Sequence, residues 1–407
     1  MNKFDLSSYF VGAGGKILSR VEVEENLSNQ HEFNGVSSLK HLLGEQRTTF
    51  SSVFLYMSDD SFSEPIIRDT GTLTWYDARE AHPTRSEFRL YFSSNKVMDE
   101  ACAGDYLVIA LRTDGTLVTI LTPSESDICS YISTLFDLKI DNKFSISSHK
   151  YNKILTYSKK LILDALGIEV YNNESKYLTE MLRIFNGDFP STKVFSEYAR
   201  STLNEIDGKS NADSAVLKWM EREEGLFRTL ERFFVDDRIK DGFSSTDEFL
   251  SYALSLLNRR KSRVGHALEN HLEQIFISRD LKYVRTCVTE NKSRPDFLFP
   301  SASAYHDQNL DAEFLTMLGV KTTCKDRWRQ VISEAARIKS KHLLTLEEGI
   351  SEGQTDEMIS HNIQLVVPEP LHDTYTAKQQ KWLMTLEQFI ELVQDKQDRC
   401  IVLYPHY

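Results

Sequence analysis

The apolar positions along the chain follow two rhythms. Up to about residue 150 they come in short runs rich in aromatic and β-branched side chains: "SSVFLYM" (51–57), "GTLTWYDAR" (71–79), "EFRLYFSS" (87–94) and "DYLVIALRTDGTLVTIL" (105–121). Such runs suit pleated, half-buried strands. The last is interrupted by Asp114-Gly115, and an Asp-Gly pair between apolar runs predicts a hairpin, because glycine supplies the positive φ the turn needs. From 152 to 186 the spacing turns helical, in "ILTYSKKLILDALGI" and "YLTEMLRIF". "NNESK" (172–176) and "NGDFPS" (186–191) read as a connection.

Beyond residue 189 the pattern changes. "AVLKWMEREEGLFRTLERFFVDDRI" (215–239) and "TDEFLSYALSLLNRRKSRVGHALENHLEQIFI" (246–277) carry apolar residues at helical spacing. Strand-like runs follow: "KYVRTCVT" (282–289), "PDFLFP" (295–300), "FLTMLGVKTT" (314–323) and "IQLVVP" (363–368), the later ones separated by helical stretches. The expected organisation is a β-rich domain over 1–170, a linker over 171–188 and a mixed α/β domain with a small sheet over 189–407. There is no internal repeat and no low-complexity tract.

Composition narrows the class. A chain of 407 residues is too long for one ordinary core. With 41% hydrophobic and 27% charged residues it is globular in type. No apolar run approaches the roughly 18 residues of a membrane span, and the first residues lack the apolar core of a signal peptide. The five cysteines (Cys102, Cys129, Cys287, Cys324, Cys400) are scattered, with no CxxC pair. The expectation is a reducing, cytoplasmic setting without a structural zinc site. The formal net charge is −12, mild evidence against a nucleic-acid partner. Local charge decides that question, however, and between Lys321 and Lys341 stand seven bases (Lys321, Lys325, Arg327, Arg329, Arg337, Lys339, Lys341) against two acids (Asp326, Glu334).

That stretch adjoins a chemically suggestive pair. Asp296 opens one strand-like run and Lys321 closes another. If the two strands pair, a carboxylate and an ammonium meet. Hydrolysis of a phosphodiester needs hard oxygen ligands for Mg²⁺, a metal-activated water, and a cation to position that water or stabilise developing charge. A second carboxylate is required. Glu334, on the helix expected to begin near Asp326, and Glu269, in "HALENHLEQIF", are the candidates; each taken singly would be an ordinary solvated helix residue. Lys325, Asp326 and Arg327 could read G·C pairs, since Lys and Arg donate to guanine and Asp accepts from cytosine. A second basic run, "NRRKSR" (258–263), offers Arg260, Lys261 and Arg263 for phosphate or base contacts. Trp219 and Tyr305 could stack on bases but suit a core equally, and Tyr305 as a covalent nucleophile lacks an accompanying Arg/His set.

"NRRKSRVGHALENHLEQIF", "RPDFLFPSASAYHD" and "GVKTTCKDRWRQVISEAARI" resemble the EcoRII-type (type IIE) restriction endonucleases, a branch of the PD-(D/E)XK nuclease superfamily, over about residues 189 to 395. The resemblance implies a restriction-endonuclease-like core in the second domain and a catalytic set in the order Glu269, Asp296, Lys321, Glu334. The carboxylate usually found two residues before the lysine is displaced to Glu334, and position 319 is indeed Gly. Asp296 and Glu334 would hold Mg²⁺, and the recognition triplet would be Lys325, Asp326 and Arg327. It further implies cleavage of double-stranded DNA at CCWGG or a near relative, a homodimer through the catalytic domain, flipping of the central base pair, and a cognate cytosine methyltransferase that protects the host. Relatives of this length carry an N-terminal pseudobarrel that binds a second DNA site as allosteric effector and covers the catalytic cleft until then. "TWYDAREAHPTRSEFRLYF", with Arg79, Arg85, Glu87 and Arg89, is similar to one of its DNA-contacting arms, and "NQHEFNGVSSLKHLLG" (29–44) to the other. Two alternatives stay open: a nuclease of the same fold with another specificity, such as methylated DNA or repair, and a catalytically silent DNA-binding regulator.

Overall fold

The computed structural model describes residues 3–24, 31–34, 36–59, 66–80, 82, 84–147, 152–154, 157–168, 174–324 and 327–404. The chain divides into two compact units, Met1–Val170 and Tyr171–Tyr407. Among the described residues no helix is long and apolar enough to cross a membrane.

The N-terminal unit is built on strands: β1 (Lys3–Asp5), β2 (Phe10–Ile17), β3 (Glu32–Phe33), β4 (Thr48–Tyr56), β5 (Ile67–Asp77), β6 (Phe88–Phe92), β7 (Asp105–Arg112), β8 (Leu117–Pro123), β9 (Ser145–Ile146) and β10 (Asn152–Ile154). Helices α1 (Arg20–Val23), α2 (Lys40–Leu43), α3 (Lys96–Glu100), α4 (Asp127–Phe136) and α5 (Tyr157–Ala165) complete it. Eight strands form one sheet in the order β3-β6-β5-β4-β8-β7-β2-β9, while β1 pairs with β10. The expected hairpin joins β7 to β8, with Gly115 at φ +82° and the Asp114 carboxylate accepting from the Thr116 N–H. Side chains alternate along β7: Tyr106, Val108 and Ala110 pack with α4, whereas Leu107 and Ile109 face a second core containing Phe33, Leu73, Trp75 and Leu90. The short turn Val36–Leu39 touches both β6, near one edge of the sheet, and β9, at the other edge. The sheet therefore curls round this second core as a pseudobarrel. β10 lies where the chain was expected to have turned helical already.

The C-terminal unit places helices round a smaller sheet. Helices α6 (Ser175–Ile184), α7 (Thr192–Ser201), α8 (Ala212–Asp241) and α9 (Thr246–Ser278) come first. Then come β11 (Val284–Arg285), β12 (Phe297–Phe299), α10 (Ala302–His306), β13 (Thr316–Lys321), α11 (Trp328–Ile332), β14 (Lys341–Thr345), α12 (Glu352–Ser360), β15 (Ile363–Val366), α13 (Ala377–Gln380) and α14 (Leu386–Leu403). The strands pair in chain order. β11–β12 and β12–β13 are antiparallel, β13–β14 and β14–β15 parallel. The long helices begin at side-chain caps: Asn211 accepts from the Ser214 N–H at 2.7 Å and Ser245 from the Glu248 N–H at 3.1 Å. Gly242 ends α8 at φ +77°. The α6 helix, in the stretch expected to link the units, buries Met181 against α7 and α8.

Two expectations are corrected here. The basic stretch read as one helix from about Asp326 is helical only over Trp328–Ile332, and its end is the strand Lys341–Thr345. Glu334 consequently lies in a bend two residues beyond α11, not on a helix. The cause is tertiary: the amides after Glu334 bond to side chains elsewhere in the unit, and Ala335 takes a left-handed φ of +46°.

Candidate active site and DNA-facing residues

The register Phe297↔Leu318 brings the start of β12 beside the end of β13. The Val320 N–H donates to Asp296 Oδ2 at 2.6 Å, and Lys321 Nζ donates to the same oxygen at 3.0 Å. Carboxylate and ammonium thus meet as their positions in the sequence suggested. Both groups are largely sheltered, with side chains 18% and 16% exposed, so the pair is only weakly screened.

Gly319 and Lys321 share a face of β13. A Cβ at Gly319 would lie 2.9 Å from Val331 Cγ2 of α11. The helix is seated on the bare glycine, so a carboxylate two residues before Lys321 has no room. The same close approach carries the following bend, and Glu334 with it, to Asp296 and Lys321. Glu334 is half-buried, and its Oε2 is buried with no hydrogen-bond partner among the described residues. Burial pushes its carboxyl up to about 7; the Lys321 charge opposes this, Asp296 adds to it, and Lys341 opposes it. Lys341 opens β14, donates from Nζ to the Ile332 carbonyl and is lowered by burial, against the pull of Glu334 and Glu290.

Glu269 stands on α9. Its Oε2 receives Arg285 Nη2 at 2.6 Å, and the same guanidinium reaches Glu273 at 3.0 Å and Asn270 Oδ1 at 3.2 Å. Arg285 opposes Phe297, the neighbour of Asp296, in the β11–β12 ladder. Glu269 is therefore held by an arginine, on the strand beside β12, that the sequence did not single out; no hydrogen bond or ion pair among the described residues joins it to Asp296 or Lys321.

Among the described residues no group of three or more His, Cys, Asp or Glu side chains is gathered for a metal. Two carboxylates are enough for Mg²⁺, which keeps several waters and takes its remaining ligands from substrate phosphates. The unsatisfied Glu334 oxygen, next to a second carboxylate that raises its pKa, fits that ion: a hard cation there would replace a repulsion with two favourable contacts.

The basic residues divide. Lys325 and Asp326 lie outside the described residues. Arg327 is exposed at the start of α11, with Nη2 on the Thr323 carbonyl at 2.7 Å. Lys261 is on α9. Arg260, 42% exposed in its side chain, pairs with Glu231 at 2.6 Å. Arg263 points inward: it is 5% exposed, ion-paired to Glu223 and Glu224, and stacked 4.2 Å over Phe227. The acids of "EREEG" on α8 were the signal for that inward turn. Trp219 and Tyr305, at 4% and 1% exposure, are core residues.

In the N-terminal unit both candidate arms come together, because β3 pairs with β6. Arg79 meets Glu87 at 2.6 Å, and Arg89 meets Glu87 at 3.0 Å and Glu32 at 2.9 Å. Arg47 lies over the Tyr76 ring at 5.7 Å, and Arg85 is exposed on the β5–β6 loop. Phe88, Leu90 and Phe92 of the same strand point into the core, so Arg89 and Tyr91 face outward.

A carboxylate at a strand start, a lysine at the end of the adjacent strand and a second carboxylate in the bend after the next helix thus come together on a mixed sheet. Residues 227–390 match the model of the EcoRII C-terminal family. The type II restriction enzyme EcoRII of Escherichia coli is 46% identical over 203 residues, which cover 50% of this chain and 50% of that protein; the chain spans about half the length of this curated relative. Two solved structures also align. One is metal-depleted Ecl18kI in complex with uncleaved, modified DNA (TM-score 0.45, 16% identity, 55% of this chain and 85% of that one). The other is a restriction endonuclease PspGI–substrate DNA complex (TM-score 0.43, 15% identity, 52% and 94%).

Proposed function

We propose that the protein is a type II (IIE) restriction endonuclease that hydrolyses double-stranded DNA at CCWGG or a closely related site with Mg²⁺. The observation that carries the reading is the Asp296–Lys321 pair beside the buried, unsatisfied Glu334 carboxylate. Asp296 and Glu334 would hold the metal. When bound, Mg²⁺ polarises the scissile phosphate and acidifies a water. Lys321, steadied on Asp296 Oδ2, orients the attacking water and stabilises charge developing on the phosphate. Glu269, carried by Arg285, completes the set. Arg260, Lys261, Lys325, Asp326 and Arg327 are the DNA-contacting residues of this reading. Arg263, grouped with them on sequence grounds, would have to leave its buried ion pairs to join.

The same reading makes the chain a homodimer through its catalytic unit, so that two sites cut two strands. Leu250, Leu254 and Leu257, with Phe249 beside them, form an exposed apolar stripe on α9 of the kind that a second copy covers. The N-terminal unit binds a second DNA site as effector, through Arg79, Arg85, Glu87 and Arg89. At Arg79 and Arg89, whose present partners are glutamates, DNA phosphates would exchange for existing ion pairs. A cognate cytosine methyltransferase protects the host DNA, and the enzyme works in the cytoplasm.

Digestion of unmethylated plasmid with Mg²⁺, followed by mapping of the ends, tests the reading. Cuts at CCWGG or a near relative are expected. Lys321→Ala should lower cleavage by roughly 10²–10³-fold or more while Ca²⁺-supported DNA binding persists. No cutting of DNA with several such sites, or undiminished cutting by Lys321→Ala, would sink it.

A further inference from the structure

Glu334 sits where regular structure has ended. The residue after it, Ala335, has φ +46°, a left-handed conformation that is unfavourable for a Cβ-bearing residue. Such a bend does not hold its own shape. Yet three successive amides after Glu334 find side-chain acceptors. The Ala335 N–H donates to Thr289 Oγ1 at 3.4 Å, the Ala336 N–H to Glu290 Oε2 at 3.1 Å, and the Arg337 N–H to the Tyr305 hydroxyl at 3.4 Å. The acceptors are themselves joined, since the Tyr305 hydroxyl donates to Glu290 Oε2 at 2.5 Å. The Arg337 guanidinium closes the assembly on the carbonyls of Tyr305 and of Leu310, the latter at 2.8 Å. On the other side of Glu334, Lys341 Nζ holds the Ile332 carbonyl.

We propose that Tyr305 and Glu290 are positioning residues for Glu334: the hydrogen-bonded hydroxyl and carboxylate clamp the bend so that the displaced acid is presented to the metal in one geometry. The proposal rests on the reading of Glu334 as a metal ligand. It gives the buried tyrosine a task distinct from packing, because the ring fills the core while the hydroxyl holds the bend. A carboxylate on a strand is fixed by the ladder on either side of it. One moved to a bend has no ladder, and side chains from Thr289–Glu290 and α10 take its place.

Tyr305→Phe separates the two tasks, since it keeps the ring and deletes the hydroxyl. In the full chain it should speed amide hydrogen exchange over residues 332–338 and weaken Ca²⁺ binding to the cognate-DNA complex, read by calorimetry, by about 10-fold. The Mg²⁺ concentration for half-maximal cleavage should rise by the same factor, with kcat recovered at saturating metal. Glu290→Ala should behave alike. Glu290→Gln, which keeps a carbonyl acceptor, should recover most of the affinity. Unchanged exchange and unchanged metal affinity in Tyr305→Phe would overturn the clamp. Faster exchange with unchanged metal affinity would also overturn it, because the bend would then be held without consequence for Glu334. Glu334→Gln run alongside keeps the failures apart: if that variant cleaves normally, the assignment of Glu334 falls first and the positioning role falls with it, whatever the exchange shows.

Discussion

Replacing Glu334 by glutamine should make the metal-free, DNA-free protein more stable, and only at higher pH. Burial, with Asp296 nearby, raises this carboxyl from an ordinary 4.5 to about 7 despite Lys321 and Lys341. A raised acid binds its proton more tightly in the folded state. Its contribution is therefore fully present below about pH 4.5 and is lost as pH climbs through about 7. At 1.36 kcal/mol per pH unit, the gap between 4.5 and about 7 corresponds to a penalty of roughly 3 kcal/mol once the group is ionised in both states. Glutamine has the same shape and no charge, so it escapes the penalty. Urea unfolding of parent and variant from about pH 5 to 9 measures the difference, and the N-terminal unit, identical in both, cancels. The stability gap should be small at the acid end and open toward roughly 3 kcal/mol in favour of glutamine above about pH 8. Saturating Ca²⁺ with cognate DNA should close it, since ligand bound to the folded parent restores its stability. A gap that stays constant across the range would refute the argument, for it would show that Glu334 ionises in the fold as freely as in the unfolded chain.

Three further substitutions test the architecture. Gly319→Asp supplies a carboxylate at the usual place before the lysine, but its Cβ would meet Val331 at 2.9 Å; it should cost about 1–3 kcal/mol in urea unfolding and fail to restore cleavage to Glu334→Gln. Arg263→Ala takes the Arg263 guanidinium from the buried Glu223 and Glu224, leaving Glu223 with His271 at 3.0 Å and Glu224 with Arg228 at 2.8 Å, and should cost about 3–5 kcal/mol in the same assay. Arg260→Ala should cost no more than about 1 kcal/mol, because that side chain is partly solvated and Arg228 still stands 4.0 Å from Glu231. Equal losses at 260 and 263 would contradict the burial difference between them.

Much of the fold was legible because local signals and tertiary structure agree. The long helices α8 and α9 keep an apolar rhythm between clear caps, and the Asp114-Gly115 turn forms for the reason its residues suggest. Asp296 and Lys321 were legible as a pair because each sits at the end of an apolar strand, where a charged side chain is out of place without a task. What stayed hidden has a common cause. In "WRQVISEAARIKSKHLL" every residue up to Ile338 is acceptable in a helix, yet the chain leaves the helix after Ile332 because Thr289, Glu290 and Tyr305 compete for its amides. The strand that follows opens with a lysine and takes both neighbours from other parts of the chain, so no local turn announces it. Arg263 was misjudged in the same way, since its ion partners lie about 40 residues back on another helix.

On the proposed reading, the displaced carboxylate follows from one missing side chain. With glycine at 319, α11 can close on β13 until Val331 touches the backbone, and a helix so seated blocks the position where an acid would otherwise stand. It also brings its own C-terminal bend to the lysine. On the proposed reading the acid is then supplied by a segment with no ladder to stiffen it, and the side chains behind the bend would belong to the metal site in effect. The atom that fails to bond, Glu334 Oε2, and the residues that hold the bend, Glu290 and Tyr305, are two sides of that arrangement. An unsatisfied buried oxygen is costly, and it persists only where the surrounding contacts prevent the bend from relaxing to relieve it. Rigidity at 335–337 and readiness for a cation at 334 are, on this argument, the same property, so loosening the clamp should be felt as a loss of metal affinity before it is felt as a loss of stability.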